Sequence, residues 1–114
     1  MTVWATRCTD GKVDPDVLAD VVRRVVDAAS PEKIVLFGSA ARGEMGPNSA
    51  IDLLVVKDTT SRAKEVEGIY AKLWGVEAAV DVVMVTPSEV ARMRTSHALV
   101  VKPALQEGRV VYER

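Results

Sequence analysis

The chain has little cysteine, few aromatic residues and no excess of basic residues, and each shortage excludes a class of protein. Its 114 residues include one cysteine, Cys8, which excludes an internal disulfide and a cysteine-based zinc site. The 15 lysines and arginines are offset by 16 aspartates and glutamates, which gives a net charge of −1. Because general nucleic-acid-binding surfaces usually show a basic excess, we expect no direct nucleic-acid partner.

Long apolar runs are absent as well. No apolar run approaches the roughly 18 to 20 residues that span a bilayer. The first residues, MTVWATRCTDGKV, lack the basic start and the apolar stretch of a signal peptide. The sequence therefore predicts a cytoplasmic protein without a membrane partner. With two tryptophans, two tyrosines and one phenylalanine, its core must consist mainly of Val, Ala, Leu and Ile.

The length predicts a single domain over residues 1–114, in which 1–13 form an edge strand or an N-terminal arm. Apolar periodicity, turn residues and capping signals predict the remaining elements. They are a helix capped by Asp14 and ended at Ser30-Pro31, a strand KIVLFG, a helical turn SAARG, a strand AIDLLVVK, a helix over Thr59–Trp74, a strand AVDVVMV, a helix starting at the capping box Thr86–Glu89, a helix over Val100–Gln106 and a strand RVVYE. This order predicts the α/β class, with helices packed on a small β-sheet.

The first candidate site is the Gly38-Ser39 pair, which directly follows the strand KIVLF. Glycine lets the backbone turn sharply and approach a ligand closely. The amides at the start of the next helical turn would point outward as an anion site. Ser39 adds a hydroxyl group, and Arg42 adds a positive charge that sits either on a phosphate or on the loop as a brace. Taken alone, this pattern is also that of a plain turn.

The second candidate site is a pair of aspartates, Asp52 and Asp81, inside two predicted core strands. An ionised carboxylate is costly to bury without a partner, so two of them suggest a shared cation, most simply a metal ion. Since residues i and i+2 of a strand point to one face, a carboxylate at position 50 would project beside Asp52. Three such carboxylates can hold two Mg²⁺ ions on a nucleotide's phosphates. Position 50 is Ala50, so one ligand is missing.

In this order, the motifs GSAARG, SAIDLLVV and VDVVMV resemble the minimal nucleotidyltransferase (MNT) family of the polymerase-beta-like superfamily. The ending PALQEGRVVYER is also similar to the tails of these small proteins, and the resemblance covers Ile34 to Arg114. It implies the nucleotidyltransferase fold, a small mixed β-sheet with helices packed on it. An intact site of this family is expected to hold two Mg²⁺ ions and to use ATP as its substrate.

The resemblance also assigns roles to single positions. It implies that Gly38 and Ser39 hold the nucleotide triphosphate, and the positive charge of Arg42 makes this residue the third predicted nucleotide-binding position. The resemblance makes Asp52 and Asp81 the catalytic metal ligands, and it places the first aspartate of the family's Asp-x-Asp motif at Ala50.

Small MNT proteins commonly pair with a HEPN-domain ribonuclease as a toxin–antitoxin system, and several transfer AMP from ATP to a tyrosine of the toxin. The resemblance therefore implies an antitoxin that forms a hetero-oligomer with a HEPN toxin. With Ala50 in place, we expect low or no AMP transfer. An alternative is an antitoxin that acts by binding alone, and a third hypothesis is that Ala50 was introduced to disable the enzyme.

Four other residues have plainer interpretations. Tyr70 and Trp74 are spaced four apart on one helix and are predicted to be packing residues, in the core or at an interface. His97, the only histidine, is predicted to lie on the surface or at a helix end. Glu44 precedes the second strand, close enough to approach a metal but not predicted to replace the missing aspartate.

Overall fold

The computed structural model describes residues 8–46, 48–93 and 107–114. His97 and the helix predicted over Val100–Gln106 lie outside these ranges. Within them, no helix is long and apolar enough to cross a membrane. The elements are β1 (Cys8–Thr9), β2 (Lys12–Val13), α1 (Pro15–Ala29), β3 (Lys33–Phe37), α2 (Gly38–Arg42), β4 (Ile51–Val56), α3 (Arg62–Lys72), β5 (Val80–Val85), α4 (Pro87–Met93) and β6 (Arg109–Glu113).

Four strands form the main sheet in the order β5-β4-β3-β6. Strand β3 is antiparallel to both β4 and β6, whereas β4 and β5 are parallel. The sheet is therefore mixed, which confirms the predicted fold class. As β3 ends where β4 and β5 begin, Phe37, Asp52 and Asp81 lie at one end of the sheet, which we call the Asp52 end.

Strands β3 and β4 are almost wholly apolar because side chains cover both of their faces. On one face, buried residues of these strands pack against the buried residues of α1 and α3. On the other face, a smaller buried cluster is packed against Val90 of α4. The members of the two clusters that come from β3 and β4 are Ile34, Leu36, Ile51, Leu53 and Val55 on the first face, and Val35, Leu54 and Val56 on the second.

Helix α1 begins and ends as its capping residues predict. The Asp14 carboxylate accepts hydrogen bonds from the backbone N–H groups of Asp16 and Val17, at 2.8 and 3.4 Å. Pro15, at the first helical position, has no backbone N–H group, and an N–H group at this position would have no partner within the helix. The helix ends at Ser30, which adopts a left-handed conformation with φ 46°. Four small apolar residues at helical spacing turn one face of α1 to the core: Val17, Val21, Val25 and Ala29.

Helix α3 is shorter than the predicted range Thr59–Trp74. At its start, the Thr59 hydroxyl accepts a hydrogen bond from the Ser61 N–H (3.0 Å), so these residues form a turn. At its end, the Arg24 guanidinium of α1 donates to the carbonyl groups of Lys72 and Trp74, both at 3.0 Å. A side chain from another helix therefore satisfies the carbonyl group of Lys72, the last residue of α3.

Trp74 does not pack within the chain, because 86% of this residue is exposed, and its packing at an interface stays a prediction. Its position follows from the early end of α3, since residue 74 lies outside the helix on which the four-residue spacing was counted. Tyr70 is 42% exposed, although its hydroxyl group accepts a hydrogen bond from the N–H of Val82 in β5 (2.9 Å). This bond ties α3 to the outer strand of the sheet.

The capping box that starts α4 is confirmed in both directions. The Thr86 N–H donates to the Glu89 carboxylate at 2.9 Å, and the Glu89 N–H donates to the Thr86 hydroxyl at 3.2 Å. Two backbone donors at the start of the helix are thereby satisfied.

Candidate functional site

The two candidate metal ligands, Asp52 and Asp81, are direct neighbours across the parallel strands β4 and β5. Each is the second residue of its strand, and the two are register partners. Adjacent strands lie about 4.8 Å apart, and register partners project from the same face of the sheet. Asp52 is partly buried, whereas Asp81 is exposed. The fold therefore brings together two carboxylates that lie 29 positions apart in the sequence.

The two carboxylates oppose each other electrostatically. Burial raises the pKa of the Asp52 carboxyl group above its ordinary value, and the negative charge of Asp81 raises it further. The positive charge of Arg42 acts in the opposite direction. The ionised pair is thus unfavourable in the protein alone, and a cation shared by the two groups would relieve the repulsion.

Gly38 begins α2 directly against the Asp52 carboxylate. A Cβ atom added at Gly38 would lie 2.2 Å from Asp52 Oδ2, and the residue has a φ of +68°. Both the contact and the backbone conformation therefore require glycine. The preceding residue, Phe37, gives the helix no side-chain cap and pairs with Asp52 across the two strands. The Gly38-Ser39 turn and the aspartate pair consequently form one continuous surface.

Ala50 lies just before β4, two positions from Asp52. The next residue, Ile51, already donates a backbone hydrogen bond to Ala79 ahead of β5 (2.8 Å), so Ala50 stands where the two strands meet. Its methyl group coordinates nothing. Among residues 8–46, 48–93 and 107–114, no group of three or more His, Cys, Asp or Glu side chains is placed to hold a metal ion.

The donor set decides which metal arrangement fits. Two neighbouring carboxylates, Asp52 and Asp81, fit one divalent cation whose other ligands are water or substrate oxygens. They do not fit a two-ion cluster, which needs the carboxylate that Ala50 lacks. Glu44 does not stand in for it in this structure, because its exposed carboxylate is ion-paired with Arg42 at 3.5 Å.

Arg42 is at the end of α2 and contacts two acidic side chains. Its Nε lies 3.5 Å from Glu44 Oε1, and its Nη1 lies 3.5 Å from Glu107 Oε2. These contacts link α2 to the following loop and to the residues before β6. The sequence leaves two roles open for Arg42, binding a phosphate or bracing the loop. The ion pairs with Glu44 and Glu107 support the second role. Nucleotide binding by Arg42 stays a prediction, as do the nucleotide-binding roles of Gly38 and Ser39.

An N-terminal hairpin, in which Asp10 and Gly11 connect β1 to β2, supports this region. Both turn residues have positive φ, 53° and 81°, as in the tightest hairpin turns. Gly11 O accepts a hydrogen bond from Met45 N at 2.9 Å. A Cβ atom at Gly11 would lie 2.1 Å from Gly43 O, so the turn packs closely on the loop after α2. The described part of the predicted arm is therefore a structural support for the loop that leads to Ala50.

The mixed sheet, with a Gly-Ser helix start packed against a strand aspartate, agrees with the nucleotidyltransferase fold that the resemblance implies. The family model described as "Nucleotidyltransferase domain" matches residues 18–111, and the chain belongs to this family. No curated protein is significantly similar to the chain.

Two solved structures share the fold. One is a protein from Sulfolobus solfataricus assigned as a nucleotidyltransferase, with a TM-score of 0.59 and 19% identity over 87% of this chain and 79% of the other. The second is a mutant of the toxin–antitoxin pair MntA–HpeT, with a TM-score of 0.59 and 18% identity over 90% of this chain and 75% of the other. At these identities the likeness shows a common fold.

Proposed function

We propose that this chain is an MNT-type antitoxin that neutralises a HEPN ribonuclease toxin, and that Ala50 impairs its AMP-transfer site. The observation that supports this most is the Asp52–Asp81 pair packed against Gly38, within a fold shared with one chain of a toxin–antitoxin pair. The proposal treats residues 1–114 as one domain acting in the cytoplasm on a protein partner.

In the reaction proposed for an intact site, the phenolic oxygen of a toxin tyrosine forms a bond to the α-phosphorus of ATP, and pyrophosphate leaves. The backbone N–H groups of Gly38 and Ser39 would donate hydrogen bonds to phosphate oxygens. Asp52 and Asp81 would hold Mg²⁺ and fix its position at the sheet. When bound, Mg²⁺ offsets the phosphate charge and favours loss of the phenolic proton.

Ala50 weakens this chemistry in a specific way. A carboxylate at position 50 would complete the ligand set beside Asp52 and lie next to the attacking hydroxyl group. A methyl group neither binds a cation nor accepts a proton. Since Mg²⁺ demands near-ideal octahedral geometry, two carboxylates with water replace the missing ligand only in part. We therefore expect nucleotide binding to survive better than transfer.

A second candidate function is neutralisation of the toxin by contact alone, without any transfer of AMP. It is favoured by one observation, the lack of a third metal-binding side chain among the residues that the structure describes. In this case ATP and Mg²⁺ would be dispensable for the antitoxin effect.

The antitoxin function is tested first by reading the neighbouring gene, which we expect to encode a HEPN protein, and then by measuring cleavage of a single-stranded RNA by that protein. We expect the purified chain to inhibit cleavage at equimolar concentration. Separating the two proteins afterwards in high salt distinguishes the candidates, because contact alone is reversible whereas a modified toxin stays inactive. Full RNA cleavage in the presence of excess chain, with and without ATP and Mg²⁺, would refute the antitoxin assignment.

A further inference from the structure

Strand β5, which carries Asp81, is an outer strand of the main sheet within the described residues. Its inner side is bonded to the chain of β4, because the carbonyl groups of Ala79 and Val85 accept hydrogen bonds from that side at 2.8 and 2.9 Å. Since backbone groups point alternately to the two sides of a strand, the even-numbered residues of β5 turn theirs outward. The N–H group of Val82 therefore needs a partner from outside the sheet.

The hydroxyl group of Tyr70 is that partner. The Val82 N–H donates a hydrogen bond to the Tyr70 hydroxyl oxygen at 2.9 Å. This N–H belongs to the peptide group that joins Asp81 to Val82. A side chain of α3 thus bonds to the backbone of the outer strand directly beside one of the two candidate metal ligands.

The position of the Asp81 carboxylate depends on the backbone that carries it. Asp81 is exposed, so packing does not fix its side chain, whereas Asp52 is partly buried against Gly38. A divalent ion such as Mg²⁺ needs its oxygen ligands in near-ideal octahedral geometry at about 2.0–2.1 Å. A small displacement of the outer strand would therefore take Asp81 out of reach of an ion held on Asp52.

The helix that carries Tyr70 is itself firmly held at this end. Ile69, the preceding residue, is fully buried, and Leu73 is only 6% exposed. The Arg24 guanidinium of α1 donates a hydrogen bond to the carbonyl group of Lys72 at 3.0 Å. The phenol group is therefore presented from a rigid support, and contacts lead from α1 through α3 to the backbone of β5.

We propose that Tyr70 is a positioning residue for the metal site. Its hydroxyl group fixes the outer strand where Asp81 has to meet Asp52, and so raises the affinity of the pair for a divalent cation. This inference rests on the proposed function, because it takes both aspartates as ligands of Mg²⁺. Tyr70 acts through the backbone and is not itself a ligand.

The test is a Mn²⁺ titration of the unaltered chain and of Tyr70→Phe, a change that removes only the hydroxyl group. Mn²⁺ suits carboxylate ligands, and its unpaired electrons broaden the NMR signals of nearby amides. We expect the Gly38 and Leu53 amide signals to broaden first in the unaltered chain. In Tyr70→Phe the half-saturating Mn²⁺ concentration should rise about fivefold, the factor that corresponds to the net contribution of one hydrogen bond.

The matched control is Tyr112→Phe, the same change at the chain's other tyrosine, on β6 at the opposite edge of the sheet. It should leave the half-saturating concentration unchanged. Asp52→Asn should weaken the broadening, which shows that the signal reports the aspartate pair. Hydrogen exchange of the Val82 N–H should be faster in Tyr70→Phe, and thermal melts should show that every variant folds.

The outcomes separate the positioning role from the metal site. If the Val82 N–H exchanges faster in Tyr70→Phe but Mn²⁺ binds as tightly as before, the hydroxyl group only stabilises the sheet edge, and the positioning role is wrong while the metal site stands. If the unaltered chain shows no Mn²⁺ broadening that depends on Asp52, the metal site of the proposed function fails, and the role of Tyr70 fails with it.

Discussion

At the scale of single residues, the ionised Asp52 carboxylate lowers the stability of the folded protein. The carboxylate is partly buried against Gly38 and faces the charge of Asp81 across the neighbouring strand. Within residues 8–46, 48–93 and 107–114, no other contact explains why two acids should be register partners there. Such a pair is typical of a site kept for function at the expense of stability.

This cost predicts that Asp52→Asn raises the free energy of unfolding of the metal-free protein at pH 7. The folded-state pKa of Asp52 is raised, so the folded protein binds its proton more tightly than the unfolded chain does. Its contribution to stability is therefore most unfavourable above the folded-state pKa, and disappears below the unfolded value of about 3.9. Urea unfolding of both proteins from pH 3 to 7 measures the difference.

The control is Asp81→Asn, which removes the opposing charge and should lower the pKa of the Asp52 carboxyl group toward its ordinary value. An NMR titration that follows the side-chain carboxyl carbons measures the pKa of Asp52 in both proteins. The assigned repulsion would be contradicted if Asp52→Asn lowered the free energy of unfolding relative to the unaltered protein, and did so more at pH 7 than at pH 3.

Both aspartates stood out in the sequence as charged residues inside apolar strands, whereas the role of Ala50 as the place of a missing carboxylate comes from strand periodicity and the family resemblance and stays a prediction. The contact between Gly38 and Asp52 was not identifiable, since it depends on the antiparallel register of β3 and β4. Nor did the sequence reveal that Arg42 is ion-paired with Glu107, 65 positions away. Local patterns mark chemically unusual residues, but pairings between distant residues come from the fold.

At the scale of helices and strands, capping groups explain most of the boundaries. The Asp14 side chain satisfies two backbone donors at the start of α1, a helix that provides much of the core. We expect Asp14→Ala to reduce the free energy of unfolding by about 1 kcal/mol, the usual effect of losing an N-cap. Equilibrium unfolding in urea measures it.

Asp27→Ala is the matched control for this change, because Asp27 is exposed near the other end of the same helix. It should alter the free energy of unfolding by no more than about 0.5 kcal/mol. Equal losses for the two variants would show that the cap is not the stabilising feature.

The sequence predicted α1 and α4 well because their start signals lie within a few residues of each helix. It predicted α3 too long because the group that ends this helix, Arg24, lies in α1, 48 residues before Lys72. The same error placed Trp74 on the packed side of a helix that it does not belong to. Boundaries set by tertiary contacts are invisible to local periodicity.

At the scale of the whole molecule, the sheet order β5-β4-β3-β6 places the aspartate pair and the Gly-Ser turn at one end. The resemblance to the MNT family implied a mixed sheet, whereas no local pattern specified which strands are neighbours. The match to the nucleotidyltransferase domain over residues 18–111 agrees with that architecture.

The central claim is that position 50 alone separates this chain from an active AMP transferase. The most direct measurement is the intact mass of the HEPN toxin after incubation with ATP, Mg²⁺ and either the unaltered chain, Ala50→Asp or Ala50→Asn. We predict an increment of one AMP with Ala50→Asp only, since the asparagine variant has a similar size but lacks the charge. Transfer of AMP by the unaltered chain, or no transfer by an Ala50→Asp variant that still binds the toxin, would contradict the claim.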